Sequence, residues 1–210
     1  MKRGHFISFE GGEGAGKSTQ LQLLAAAMAE RGIDCVTTRE PGGTPGAEAL
    51  RELLLSPEHD WNARAEALLF AAARADHVAN LIRPALEAGK WVLCDRYLDS
   101  SRAYQGGAGG LTDEGIMALH MVGSEGLLPD LTILIEVDPA EAERRAAARD
   151  LGGADRIGAK GRDYHAAVGD RFRQLADAEP SRFVRISGDG GPDEVHARVM
   201  QALEPLLAEA

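Results

Sequence analysis

Five short apolar or β-branched runs punctuate the chain: HFISFE (5–10), DCVTT (34–38), KWVLCD (90–95), LTILIEV (131–137) and RFVRIS (182–187). Each is too short for a buried helix and none alternates cleanly between polar and apolar, so they predict strands covered on both faces. The stretches 17–31, 46–55, 63–88, 112–126, 139–150, 161–178 and 192–208 predict helices. Gly32 and Gly89 follow the first and third of these, and Pro139 and Pro192 open two others, where helix ends favour those residues. Strands alternating with helices predict an α/β fold, a five-stranded parallel sheet flanked by helices in three layers. Two Gly-rich patches, 105–110 and 151–161, break the pattern and predict mobile loops.

The 210 residues suffice for one domain, 1–210, with a full core. With 44% hydrophobic and 27% charged residues the composition is ordinary for a globular protein. The net charge of -10 argues against a nucleic-acid or membrane-surface binder, which needs a basic stripe. No segment reaches the length of a membrane span and no signal-peptide pattern opens the chain, so the expected location is the cytoplasm. Cys35 and Cys94 lie in predicted strands and read as buried free thiols.

Chemistry enters at the first strand. Gly11-Gly12-Glu13-Gly14-Ala15-Gly16-Lys17-Ser18 fits G-x-x-x-x-G-K-[ST] directly after a strand and before a helix, the context that gives the pattern its meaning. Such a loop aims main-chain N–H groups at phosphate oxygens, and the helix end adds to the field. The stretch through Thr19 is therefore expected to hold a nucleoside triphosphate, with Lys17 on the β- and γ-phosphates and Ser18 on Mg²⁺. Glu13 stands out, because a carboxylate pointing into the loop would repel the phosphates. The third strand ends in Asp95-Arg96, at the sheet edge where open α/β folds bind ligands. Asp95 could act through Mg²⁺ and its waters and Arg96 could clamp a phosphate; a solvated salt bridge is the plainer alternative. The only asparagines, Asn62 and Asn80, form no N-K-x-D element, which disfavours a guanine-reading switch.

FEGGEGAGKST, TREPGGTPGAEALRELLL, LLFAAARADHV and CDRYLDSSRAYQGGAGG, in that order, resemble bacterial thymidylate kinases, which phosphorylate dTMP to dTDP. The match runs from residue 6 to about 138 and more loosely to the end. The resemblance implies a P-loop NTPase of nucleoside-monophosphate-kinase-like fold, with ATP and dTMP as substrates and a homodimer as the assembly. It implies that Glu13 contacts the acceptor's 3′-hydroxyl, that Phe70 stacks on thymine and that Arg74 bonds a base oxygen. Phe70 and Arg74 are four residues apart on one helix face, although without the resemblance Phe70 reads more readily as core. Ser101 and Gln105 become base-edge partners, and Tyr104 lies beneath the deoxyribose. Arg39 to Thr44, including Pro41, line the monophosphate pocket, and Arg51 is a lesser phosphate ligand or a plain exposed arginine. The Glu40-Pro41 bond is open between cis and trans.

No Ser-His-Asp set or metal-spaced histidines appear among His5, His59, His77, His120, His165 and His196, which read mostly as surface or capping residues. A phosphate oxygen needs no base, so the enzyme's task is alignment and neutralisation. Lys17 and Arg96 share that task with a lid at about 144–162, where Arg149 or Arg156 is the expected catalytic arginine; a solvated basic face is the alternative. One departure stands out: the family's lid often reads Asp-Arg-apolar-Glu, but this chain has Asp155-Arg156-Ile157-Gly158. Asp138 is a weaker Mg²⁺ candidate, and the 186–191 loop would border adenine. Two rivals remain: a deoxynucleoside kinase with Glu40 as base, and an ATP-binding sensor without transfer chemistry.

Overall fold

The computed structural model describes residues 3–149 and 156–208, and of residues 146–149 the backbone alone. Five strands form, β1 (Phe6–Glu10), β2 (Cys35–Arg39), β3 (Trp91–Asp95), β4 (Leu131–Glu136) and β5 (Phe183–Ser187), each within one residue of the predicted bounds. All pair in parallel, in the order β2-β3-β1-β4-β5. The helices are α1 (Lys17–Glu30), α2 (Pro45–Leu55), α3 (Ala63–His77), α4 (Arg83–Glu87), α5 (Leu98–Ser101), α6 (Asp113–Ser124), α7 (Pro139–Arg149), α8 (Arg162–Ala178) and α9 (Pro192–Leu207).

The central strands send alternate side chains to opposite faces, which makes the three layers. Ile7 and Phe9 of β1 and Leu93 of β3 pack with Leu24 and Met28 of α1 and Val199 and Leu203 of α9. Phe6 of β1 and Val92 and Cys94 of β3 face the other way, onto Val78, Ile82, Tyr97 and Leu98. The edge strands depart from the expectation of cover on both faces: β2 is partly exposed along its length and β5 at three of its positions. Cys35, on that edge, is accordingly only partly buried, whereas Cys94 is fully enclosed; both are free thiols.

Two predicted elements differ. The helix expected over 63–88 is interrupted by a wide turn at Val78–Ile82, after which α4 begins. Pro84 explains the interruption: it has no N–H for the carbonyl four residues back, and its ring crowds that carbonyl. The expected loop at 105–110 is instead largely helical, because α5 continues as a wide-turn helix over Arg102–Ala108. Its glycines serve packing, since a Cβ on Gly107 would lie 2.8 Å from Cγ of Arg171 on α8. Of the second Gly-rich patch, residues 151–155 lie outside the described residues, and 156–159 form a turn.

A buried ionic cluster fixes this helix to its neighbours. Asp99 accepts from Arg182 at 2.7 and 2.9 Å and from Arg102 at 3.1 Å, and Arg102 reaches on to Asp113 and Glu179. Such pairs contribute little net stability but leave a costly buried charge when one partner is removed. They pin α5 to β5 and to the start of α6, so the wall that follows β3 is held from behind.

Candidate active site

β1 and β3 are neighbours, so their carboxyl ends, each followed by one of the phosphate-handling motifs, lie side by side. After β1, Gly11, Gly14 and Gly16 take left-handed backbone angles that let the loop curl before α1. Gly11 also meets a close neighbour, since a Cβ there would stand 2.4 Å from the Ile135 carbonyl oxygen. Lys17 folds back over the loop, donating to the Gly11 and Gly12 carbonyls at 3.1 and 2.8 Å. Burial, and then the charge of Arg96, pushes Lys17 down to about 8. Ser18 Oγ donates to Asp95 Oδ2 at 2.5 Å, which brings the two predicted metal-side residues together across the strand ends. Among the described residues no group of three or more His, Cys, Asp or Glu is arranged to hold a metal ion. A phosphate-bound Mg²⁺ needs only one or two protein oxygens, so a hydroxyl paired with a carboxylate fits it.

Arg96 is held in a left-handed conformation, φ 68°, unusual for a residue with a Cβ. Its guanidinium donates to Glu13 Oε1 at 2.6 Å, to the Gly11 carbonyl at 3.1 Å and to Ser100 Oγ at 3.1 Å. Glu13 thus turns out of the loop toward the cleft, as the repulsion argument requires. Behind Arg96 sits fully buried Glu10, pushed up to about 7 by burial and then by Asp99, against the hydrogen bond from Ser100.

The cleft beside these groups is lined by Glu13, Glu40, Pro41, Arg51, Phe70, Arg74, Arg96, Ser101, Tyr104 and Gln105, whereas Arg39, Gly42, Gly43 and Thr44 of the expected acceptor side are not among its lining residues. Arg39 points elsewhere, pairing with Glu48 at 3.0 Å on an exposed surface. Phe70 is half-buried on the cleft wall and belongs to none of the three apolar clusters, so it is not plain core. Arg51 donates to the Pro41 carbonyl at 2.8 Å, and the Glu40-Pro41 bond is cis. The Arg96 guanidinium stacks 5.1 Å from the Tyr104 ring centre.

Arg74 is far more enclosed than a simple base ligand would be. It is 3% exposed, and it donates to Glu40 at 2.7 Å, to Ser101 Oγ at 2.9 Å and to the Tyr97 carbonyl at 3.2 Å. The other oxygen of Glu40 meets His77 Nδ1 at 3.0 Å, and His77 Nε2 meets Thr38 Oγ1 at 2.7 Å. Burial alone would raise Glu40, but Arg74 and His77 outweigh it and hold the carboxyl below its ordinary range. The expectation of surface histidines therefore fails for His77, and for His120, which is 1% exposed and bonded to the Leu127 carbonyl.

On the lid side, Arg156 does not approach the loop's lysine through any contact described; it donates to the Leu54 carbonyl at 3.0 Å and to Glu66 at 2.6 Å. Glu66 also receives Gln105 at 2.9 Å and Lys160 at 3.4 Å, joining lid to cleft wall. Arg149 ends α7, but its side chain lies outside the described residues, as does Asp155. Arg144 pairs with Glu141, and Arg162 with Glu143, on exposed ground. Asp138 caps α7 through Ala140 N at 2.9 Å, which gives it a structural use. Sequence reasoning missed Glu10, Ser100, Glu66 and His77; the one signal for Glu10 was a carboxylate closing a run of buried strand residues.

A glycine-rich loop after the first strand, a Ser-Asp pair at its mouth, and an arginine-walled cleft beyond the neighbouring strand define a P-loop NTPase of nucleoside-monophosphate-kinase type. The family model for thymidylate kinase matches residues 9–199, and the chain belongs to that family. A thymidylate kinase of Rhizorhabdus wittichii is 57% identical, the match covering 97% of this chain and 99% of that protein. One from a Bradyrhizobium species is 49% identical, covering 99% and 93%. Among solved structures, thymidylate kinase from Ehrlichia chaffeensis superposes with a TM-score of 0.76 at 33% identity, covering 96% of this chain and 99% of that one.

The Glu40 pairing has a pH signature. A carboxyl held below its ordinary value of 4.5 stabilises the fold fully above that pH, and the contribution disappears as pH falls through the lower folded value. Denaturant unfolding between pH 6 and 3 should show this loss in the native chain and a flatter acid limb in Glu40→Gln. At pH 7 that variant should be less stable by about 3–5 kcal/mol, the cost of leaving Arg74 buried without its anion. Parallel acid limbs would remove Glu40 from this role.

Proposed function

We propose that the protein transfers the γ-phosphoryl group of Mg-ATP to dTMP, giving dTDP and ADP, as one domain with a lid around 144–162. The observation that carries this is the pair of adjoining compartments: a main-chain phosphate loop and, beyond Arg96, a cleft containing a half-buried ring and a buried guanidinium. ATP phosphates lie in the loop from Gly11 to Thr19, and Lys17 leaves the Gly11 and Gly12 carbonyls to meet them. Ser18 and Asp95 would hold Mg²⁺, which would supply positive charge to neutralise what develops on the transferring phosphoryl group. In the cleft Phe70 stacks on the base, Arg74, Ser101 and Gln105 meet its edge, and Tyr104 underlies the sugar. Pro41, Arg51 and Arg96 border the acceptor phosphate. The 186–191 loop borders adenine.

An anionic dTMP oxygen attacks the γ-phosphorus, and the bond to the bridging oxygen breaks toward ADP, which keeps the electron pair. No base is required, so alignment and cation placement carry the rate. When the acceptor phosphate engages Arg96, Glu13 is released to accept from the sugar 3′-hydroxyl. Lid arginines complete the charge. Arg149 and Arg156 are the two candidates for the catalytic arginine, and Arg156 would exchange Glu66 and the Leu54 carbonyl for phosphate oxygens.

The deoxynucleoside-kinase reading needs a free acid to take a hydroxyl proton. Glu40 is poorly suited, since both its oxygens are taken by Arg74 and His77 and its proton affinity is lowered. A sensor without chemistry would have no use for the second cleft. A homodimer is the proposed assembly. Leu68, Met121 and Val122 stand 56%, 58% and 87% exposed on α3 and α6, which pack together where Gly123 meets Ala71 and Ala75. The location consistent with this metabolism is the cytoplasm; no helix among the described residues is long and apolar enough to cross a membrane.

A coupled ADP-release assay with Mg-ATP should give turnover with dTMP and almost none with thymidine, and Phe70→Ala should raise KM for dTMP by about tenfold, the loss of one stacking contact. Preference for thymidine would reverse the assignment. Because kcat/KM reports the free enzyme, its value for ATP should decline above pH about 8 as Lys17 loses its proton. Bound phosphates favour the charged lysine, so kcat should hold to higher pH; a flat kcat/KM from pH 7 to 10 would exclude Lys17 as the titrating group. Light scattering should give twice the 22.3 kDa chain mass, and a Leu68→Glu, Val122→Glu variant should run as the monomer. A native monomer would rule the assembly out.

A further inference from the structure

Glu10 lies just before the phosphate loop Gly11–Ser18 and has no part in the proposed reaction, yet it is the last residue of β1 and completely enclosed. The two-residue period of the strand sends its side chain to the same face as Phe6 and Ser8, under the turn that leaves β3. There one carboxylate oxygen, Oε1, accepts from the main-chain N–H of Tyr97 at 2.8 Å and of Ser100 at 3.2 Å. The other, Oε2, accepts from the Ser100 hydroxyl at 2.6 Å, and that hydroxyl accepts from Arg96 Nη1 at 3.1 Å.

Tyr97 is the N-cap of α5 and makes no side-chain cap bond of its own. In a capping box the N-cap and third-residue amides are satisfied from within the helix. Here the Tyr97 amide is satisfied by a carboxylate from another strand, which also shares the Ser100 amide with the Tyr97 carbonyl at 3.2 Å, so the start of α5 is registered against β1. The residue just before it is Arg96, in its left-handed conformation, whose own N–H donates to the Phe9 carbonyl at 2.9 Å. A turn of that kind is strained and persists only where its surroundings over-determine it. Phe9 and Glu10 supply that constraint from in front of Arg96 and from behind it. They are also the two residues that lead into the phosphate loop.

We infer that Glu10 is a positioning residue for phosphoryl transfer: by holding the turn after β3 and, through Ser100, the guanidinium itself, it sets the aim of Arg96 relative to the phosphate loop. The inference rests on the proposed role of Arg96 at the acceptor phosphate. Ser100 acts as the relay, taking a hydrogen bond from the arginine and passing one to the carboxylate. Glu10 is not among the residues that line the cleft; Ser100 lines it beside Arg96.

The experiment is a double-mutant cycle. Glu10→Gln keeps the shape and one acceptor oxygen but puts an N–H donor where the Ser100 hydroxyl donates, and should lower kcat by about tenfold while KM for ATP stays within about twofold. In an Arg96→Ala background the same substitution should cost less than about twofold more, because the group it aims is gone. Ser100→Ala, which spares the main-chain bonds, should lower kcat by about threefold, an effect likewise absent beside Arg96→Ala. Losses that multiply in the double variants, or native turnover in Glu10→Gln, overturn the inference. Amide hydrogen exchange on the ligand-free protein decides it independently of the reaction catalysed. Tyr97 N–H, whose acceptor is this carboxylate, should exchange about tenfold faster in Glu10→Gln while the amides of Phe6 to Phe9 keep their protection. Unchanged protection at Tyr97, or equal loss across β1, refutes it. A native protein inert toward dTMP would sink the functional reading instead, and the exchange result would still stand or fall by itself.

Discussion

The hydrogen bond from Arg96 N–H to the Phe9 carbonyl, 2.9 Å, joins the two sheet edges on which the site depends. It exists because β1 and β3 are parallel neighbours whose residues stay in register to their ends, Phe9 opposite Asp95. Parallel register puts both carboxyl ends at one level, so a loop that offers main-chain N–H groups and a turn that offers a guanidinium emerge side by side. Antiparallel pairing would have sent them to opposite edges. The chemistry of this protein is therefore fixed by topology before any side chain is chosen.

The acceptor wall is built on a different principle. Arg74, Glu40, His77 and Thr38 form a buried polar chain running from the cleft to β2, and each member's hydrogen bonds leave the next little freedom. A guanidinium held this way cannot follow a badly placed ligand. Substituting Arg74 consequently disturbs two things at once, the cleft edge and a buried carboxylate, and a loss of acceptor binding in such a variant would not by itself locate the pocket. This complicates the simple reading of Phe70 and Arg74 as an i, i+4 pair facing one ligand.

The strands and most helices were legible because their signals are local: β-branched runs for the sheet, Gly32 and Gly89 after helices, and a phosphate loop whose glycines recur at fixed spacing. The acceptor residues became legible only through family resemblance, since nothing in the spacing of Phe70, Ser101 and Tyr104 announces a shared cleft. What the sequence hid was pairing at a distance. Glu10 and Ser100 are ninety positions apart, Glu66 and Arg156 likewise, and no periodicity connects them. The helix at 98–108 was hidden for another reason: its glycines read as a loop, while Gly107 serves to let α8 come close. Arg39 erred in the other direction, because a strand-end arginine beside the motif has the right address but turns to Glu48.

With a net charge of -10 the chain gathers cations where two polyanions are proposed to meet, and it does not leave them bare. Lys17 rests on loop carbonyls, Arg96 on Glu13 and Arg156 on Glu66. Each is a bond that a phosphate oxygen can replace, so binding becomes an exchange of partners in which little new desolvation is needed. The exchange also explains the carboxylate in the glycine-rich loop. Glu13 holds and aims the guanidinium, and in the proposed reaction it would exchange it for the substrate's sugar. A neutral residue at position 13 could do neither: it would leave Arg96 half-buried without an anion, and the 3′-hydroxyl would lose the acceptor proposed for it.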